Sequence, residues 1–108
     1  MKTQIIHQNN SSYFTVNKKQ VNKNKTLKTS ILYSKVEFSV NSSINLYKYS
    51  NFHFKSIEFD ILKKAYLNDN IIIKNNIKKL SNTEIILNIT VSVKKETICN
   101  AIFSYNLQ

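Results

Sequence analysis

Glycine, proline, tryptophan and arginine are absent from this chain of 108 residues, and alanine occurs only at Ala65 and Ala101. The missing residues are those with GC-rich codons, whereas Lys, Asn and Ile dominate. The bias points to an AT-rich, reduced genome in which Arg drifts to Lys, Gly to Asn, and Leu or Val to Ile. Cysteine is nearly absent: Cys99 stands alone, which excludes an intrachain disulfide and a multi-cysteine zinc site. Long apolar runs are lacking too, and nothing approaches the roughly 18 consecutive apolar residues of a membrane-spanning helix. Met1 to Asn10 carries one Lys and then only Ile5-Ile6, without the apolar centre of a secretory signal, so a soluble cytoplasmic protein is expected. Acids are scarce: Glu37, Glu58, Asp60, Asp69, Glu84 and Glu96 are all there are, and the first 36 residues contain none.

What is present is a formal charge of +10 and twelve aromatic residues. Clustered Lys would suit a polyanion, because phosphate contacts release counterions. Here the Lys residues are spread over the whole length, and the nearest approach to a basic tail, Lys18-Lys19, Lys23, Lys25 and Lys28, is interleaved with Asn and Gln. That stretch reads as solvated or poorly ordered. Mutational drift accounts for the charge, and nucleic acid is not the expected partner. The N-x-S/T triplets, such as Asn88-Ile89-Thr90, follow from the abundance of Asn.

Texture changes along the chain. Residues 1 to about 28 are polar; from Ile31 onward apolar residues recur at spacing two, the period of a strand with one face buried. Val36, Phe38 and Val40 alternate with Lys35, Glu37 and Ser39, which predicts a strand over Lys35 to Val40 and a turn at Asn41-Ser42-Ser43. An aromatic-rich run from Ile44 to Tyr49 leads into Phe52 to Ile61, where Ile57, Phe59 and Ile61 face the core. After the turn pair Asn68-Asp69, Ile71, Ile73 and Ile77 alternate; after Ser81-Asn82-Thr83, Ile85, Leu87, Ile89, Val91 and Val93 do so. Lys94 to Thr97 then closes a hairpin into Cys99, Ala101, Phe103, Tyr105 and Leu107. Four successive strands with one apolar face make an antiparallel, sequential sheet that something must cover. Two covers are open: a partial helix around Val16 to Leu32, or an added β-hairpin from Ile31 to Tyr49.

The run FHFKSIEFDILKKAYLNDNIII, Phe52 to Ile73, resembles the acyl-CoA thioesterase branch of the hotdog superfamily. Leu62-Lys63-Lys64-Ala65 stands where that family has a Leu-Arg-Pro-Ala type turn, and Asn68-Asp69 where it has Gly-Asp. Downstream, TEIILNITVSVKKETICNAIFSYNL is similar to the family's last two long strands, most like the short-to-medium acyl-CoA thioesterases of proteobacteria, with Val-Lys-Lys followed by Ala-x-Phe-x-Tyr. The likeness covers about half the chain, Phe52 to Leu107. It implies an α+β hotdog fold, a curved antiparallel sheet around a central helix, in a single domain over 1–108 with a divergent 1–50. It also implies a second copy continuing the sheet and an acyl thioester bound at the homodimer interface. In the family an Asp or Glu on or near the central helix commonly activates water or attacks the thioester, with amide donors holding the oxyanion. This chain lacks the Gly-rich start of that helix. His7-Gln8-Asn9-Asn10 is similar to a His-x-Asn-Asn stretch of some relatives, without the Asp that precedes it there.

Among candidate residues, Asp69 reads as the cap of its turn, and Glu58 and Asp60 as the solvent side of their strand. Glu37, the earliest acid, is the one candidate to replace the family's helix carboxylate, although the alternation places it on a strand. His7 and His53 have no partners in sequence that would make a metal site, so no metal and no cofactor are expected. Cys99 reads as a small buried core residue. Lys63, Lys64, Lys94 and Lys95 are the candidate substrate-binding residues, contacting coenzyme A phosphates as point charges. The expected function is an acyl-CoA hydrolase-like protein, a homodimer that binds an acyl thioester, with the missing acids leaving the catalytic residue unassigned and hydrolysis open. The alternative is a noncatalytic small basic β-domain that binds RNA or a protein partner, since aromatic rings beside Lys suit single-stranded bases.

Overall fold

The computed structural model describes residues 9–44 and 52–107. In chain order the elements are β1 (Asn9–Thr15), a 3₁₀ turn (Lys18–Gln20), α1 (Thr29–Ile44), β2 (Phe52–Ile61), β3 (Asn70–Leu80), β4 (Glu84–Val93) and β5 (Glu96–Leu107). The strands form one antiparallel sheet in the order β1-β3-β4-β5-β2. His7 and the run Asn45 to Tyr49 lie outside the described residues.

The four alternating stretches after Phe52 are all strands, and in β3, β4 and β5 the alternation has the cause expected of it. In β2, Ile57 and Phe59 pack against the core, but Ile61, expected there too, is 40% exposed because β2 is the last strand of the sheet among the described residues. In β4, Ile85, Leu87, Ile89 and Val91 are buried, while their even-numbered neighbours are partly exposed. Cross-strand registers bring Ile71 and Ile73 of β3 and Cys99, Ala101 and Phe103 of β5 onto the same face. Each fully buried Ile, Leu or Phe in this layer is worth about 1.5–3 kcal/mol relative to exposure. One aspect of the sequential sheet is corrected: β2 does not pair with β3 but crosses to the far side and pairs with β5. The ladder from β3 through β5 is sequential, and β2 and β1 close its two sides.

Asn can stand in for Gly at the tight turns. Asn68 is left-handed at φ 72°, as its place in the turn requires. At the β4–β5 hairpin, Lys94 and Lys95 both have positive φ, 51° and 69°, where Asn-Gly is usual.

The cover is α1, and it overturns the expected strand over Lys35 to Val40. The turn expected at Asn41-Ser42-Ser43 falls inside the same helix, and neither a helix over Val16 to Leu32 nor a hairpin from Ile31 forms. Leu32, Val36 and Val40 are spaced by four, so a helix buries all three, and Ser39 and Ser43 complete the buried stripe. Phe38, which made the period look like two, is 73% exposed on the opposite side.

From Asn9 onward the polar region is held by defined backbone pairing, while Lys18, Lys19, Lys23, Lys25 and Lys28 are exposed to solvent as expected. Ser11 to Thr15 pair with β3 through Lys74 to Asn70. Asn17 then caps the 3₁₀ turn in a reciprocal box with Gln20. Val16 and Leu27 are buried in the core. This loop is tied to the β2–β3 connection by backbone bonds from Asn68 N–H to Val16 O (2.9 Å), Leu27 N–H to Ala65 O (2.9 Å) and Leu67 N–H to Lys25 O (3.0 Å).

Candidate functional site

Glu37 is the one acidic residue of α1. Because α1 turns by 3.6 residues, Tyr33 lies one turn before Glu37 on the same flank, which looks toward β2 and β5. Tyr33 meets Phe59 of β2 edge-to-face at 5.3 Å. Tyr105 of β5 meets Phe54 at 5.7 Å and Phe52 at 6.3 Å, also edge-to-face. Burial, then the charge of Glu37, then Tyr33 push the Tyr105 hydroxyl above the ordinary phenol range. Glu37 is exposed on the flank of Tyr33, and the nearby rings form two groups, Tyr33 with Phe59 and Tyr105 with Phe52 and Phe54, of which Phe54 is 58% exposed.

The opposite flank of α1 is a packing surface. Lys35 places its ammonium 4.9 Å from the centre of the Phe14 ring of β1. Asn75 of β3 is buried and donates from Nδ2 to the Ser39 carbonyl (3.0 Å) and to Ser39 Oγ (3.3 Å), while its Oδ1 has no partner among the described residues.

The four candidate lysines fall into two places. Lys63 and Lys64 line a cavity of about 270 Å³ with Asn22, Asn24, Thr29, Leu32 and Ile61, at the N-terminal end of α1. Lys94 and Lys95 line a second, of about 380 Å³, with residues of the β2–β3 turn and Ile72. The structure does not bring all four into one cavity. Lys63 forms an ion pair with Glu96, the residue after Lys95, so both pairs lie toward the same end of the sheet.

Asp69 accepts the Tyr66 N–H at 2.8 Å and holds its turn, as its position implied. Glu58 and Asp60 are exposed on the outer face and line a shallow cavity of about 370 Å³ with Asn88 and Asn100. His53 is exposed on its strand. Cys99 is buried, and burial, followed by the charge of Asp60, pushes its thiol up to about 11. That is the opposite of nucleophile activation. No group of three His, Cys, Asp or Glu that could hold a metal occurs among the described residues, and no described helix is long and apolar enough to cross a membrane.

Sequence reasoning considered Glu37 but placed it on the wrong element. The signal that would have found it is the spacing of Leu32, Val36 and Val40 with small Ser39 and Ser43, a helical stripe on which Glu37 is off to one side.

One helix laid across a five-stranded antiparallel sheet is an arrangement shared with solved thioesterase structures. The chain has the hotdog fold. A Streptococcus pneumoniae hypothetical thioesterase with coenzyme A superposes with a TM-score of 0.77 at 13% identity, covering 93% of this chain and 81% of that one. A Streptococcus mutans protein bound to acetyl-CoA gives 0.79 at 12% identity, covering 100% and 93%. A 1,4-dihydroxy-2-naphthoyl-CoA thioesterase from Synechocystis gives 0.73 at 9% identity, covering 93% and 82%. No protein-family model and no curated protein matches the sequence.

Proposed function

We propose that this chain is a cytoplasmic acyl-CoA hydrolase that binds its thioester at the interface of a homodimer, with Glu37 as the catalytic carboxylate. The observation that carries the reading is the position of Glu37: the only acid on the helix, exposed, one turn after Tyr33 on the flank whose ring meets Phe59 of β2. The fold shared with structures holding coenzyme A and acetyl-CoA supports the substrate class. In the dimer, the free side of β2 pairs with its counterpart so that one sheet runs through both copies. β2 is ten residues long, and apart from β5 it pairs with no strand among the described residues. Such an edge invites a partner strand.

In this mechanism Glu37 takes a proton from water as the water oxygen bonds to the thioester carbonyl carbon. Amide donors stabilise the oxyanion; the carbon–sulfur bond then breaks, and the proton passes to the departing thiolate. The products are a carboxylic acid and the free thiol. Lys94 and Lys95, with Lys63 and Lys64, contribute cationic contacts for the coenzyme A phosphates.

The test is release of free thiol from a panel of acyl-CoAs. Glu37→Gln is expected to lower kcat by about 10²–10⁴-fold with an unchanged unfolding midpoint, and Glu58→Gln to leave it unaltered. Equal activity of Glu37→Gln and the parent removes Glu37 from the chemistry. Acyl-CoA binding without thiol release reduces the function to binding. Salt-sensitive binding of single-stranded RNA in place of acyl-CoA would favour the noncatalytic alternative. Replacing Lys94 and Lys95 with Glu should weaken acyl-CoA binding, and unchanged affinity takes that pair out of the site.

A further inference from the structure

β2 contains an irregularity that fixes how a second copy can join it. Phe52, His53 and Phe54 pair with Leu107, Asn106 and Tyr105, but the next pair is Ser56 with Ser104, so Lys55 is an extra residue. The bulge reverses the alternation. Before it the even residues Phe52 and Phe54 share the face of Tyr105; after it the odd residues Ile57 and Phe59 share the face of Phe103 and Ala101. The outer face therefore carries His53 at one end of the strand and Glu58 and Asp60 at the other, with Lys55 between. Lys55 is paired within the chain with Glu84 (3.9 Å), so the complementarity left when the strand is reversed is that of His53 with Asp60.

Resting on the homodimer of the proposed function, we propose that the two β2 strands pair antiparallel with Ile57 on the two-fold axis, and that the partner's Phe54 packs on Phe59, the ring that Tyr33 of the helix meets. Three conditions select this register. Residues directly opposite must lie on the same face. With Ile57 opposed to itself and the Lys55 bulge skipped in each strand, Ser56 faces Glu58, Phe54 faces Phe59, His53 faces Asp60 and Phe52 faces Ile61, and every pair matches. Charges must not clash: centring on Glu58 opposes that carboxylate to its own copy, and centring on Phe59 opposes Glu58 to Asp60. The strand should be used in full: centring on Ser56 carries Asp60 and Ile61 past Phe52, the first residue of the opposite strand. Only the Ile57 register spans Phe52–Ile61 entirely, with His53 against Asp60 at both ends. Such an isologous contact closes on itself and stops at two copies.

Single cysteines test the register. The native Cys99 is buried and its thiol is held protonated, so an added cysteine is the reactive one. Ile57→Cys should form a disulfide-linked dimer under mild oxidation at least about tenfold faster than Ser56→Cys or Glu58→Cys, because a disulfide needs its two Cα atoms within about 7 Å. Faster linking through position 56 or 58 overturns the register. A charge swap on the exposed face provides the second measurement, by sedimentation. Asp60→Lys should weaken association about tenfold through its two symmetric pairs, and adding His53→Asp should restore it. Failure to restore, or a parent chain that sediments as a monomer, overturns the proposal. Acyl-CoA binding measured alongside separates the two readings. Binding with a different linking pattern sinks the register alone, whereas linking at Ile57 with no affinity for any acyl-CoA sinks the proposed function and leaves the pairing standing.

Discussion

The two flanks of α1 are built from similar materials and behave differently. Toward β1, Lys35 covers the Phe14 ring and Ser39 accepts from the amide nitrogen of the buried Asn75, whose Oδ1 has no partner among the described residues. Toward β2, Tyr33 meets Phe59 and Tyr105 meets Phe54, and Glu37 on the same flank of the helix as Tyr33 stays exposed. The first flank directs its polar groups inward, whereas the second leaves a carboxylate exposed beside β2, the last strand of the sheet among the described residues.

Phe103 lies beneath the helix in the common core, so its loss should collapse both flanks together. Phe103→Ala is expected to cost about 3–5 kcal/mol, measured by urea denaturation. A variant that loses only thiol release, with stability intact, would mean the flanks do not share one core.

Cys99 gives a pH test on the β2 side, since it pairs with Ile61. Its folded pKa, about 11, lies above the roughly 8.5 of an unfolded thiol. Below that lower value both states hold the proton and pH has no effect through this group. As pH rises from about 8.5 toward 11 the unfolded chain ionises while the folded one resists, so stability falls. Cys99→Ala should flatten that part of the profile relative to the parent, and parallel curves for the two proteins would contradict the burial.

The smallest effect sharpens the contrast most. Lys35→Met removes the cation over Phe14 and should cost about 0.5–1 kcal/mol, with kcat for thiol release unchanged. If activity drops with it, the β1 flank is not merely structural.

Alternation alone made the four strands after Phe52 legible, because three of them bury one face and β2 half-buries Ile57 and Phe59 on its inner side. It failed at residues 29–44. There Val36, Phe38 and Val40 satisfy a period of two, and only the contact of Leu32, Val36 and Val40 with the sheet, against an exposed Phe38, selects the helix. Glu37 moved with that element from a strand face to a helix flank. The lysines at 63, 64, 94 and 95 were legible as turn residues, but their division between two cavities depends on how the β2–β3 turn folds back on the hairpin.

The sequence by itself determined the four strands after Phe52, the turns between them and the buried character of Cys99, since these follow from neighbours along the chain, but not β1 in the polar N-terminal region. Tertiary structure decided the helix, the pairing of β2 with β5 and the company Glu37 keeps. Those depend on which distant surface a segment buries against, and a local period compatible with two elements carries no information about that choice.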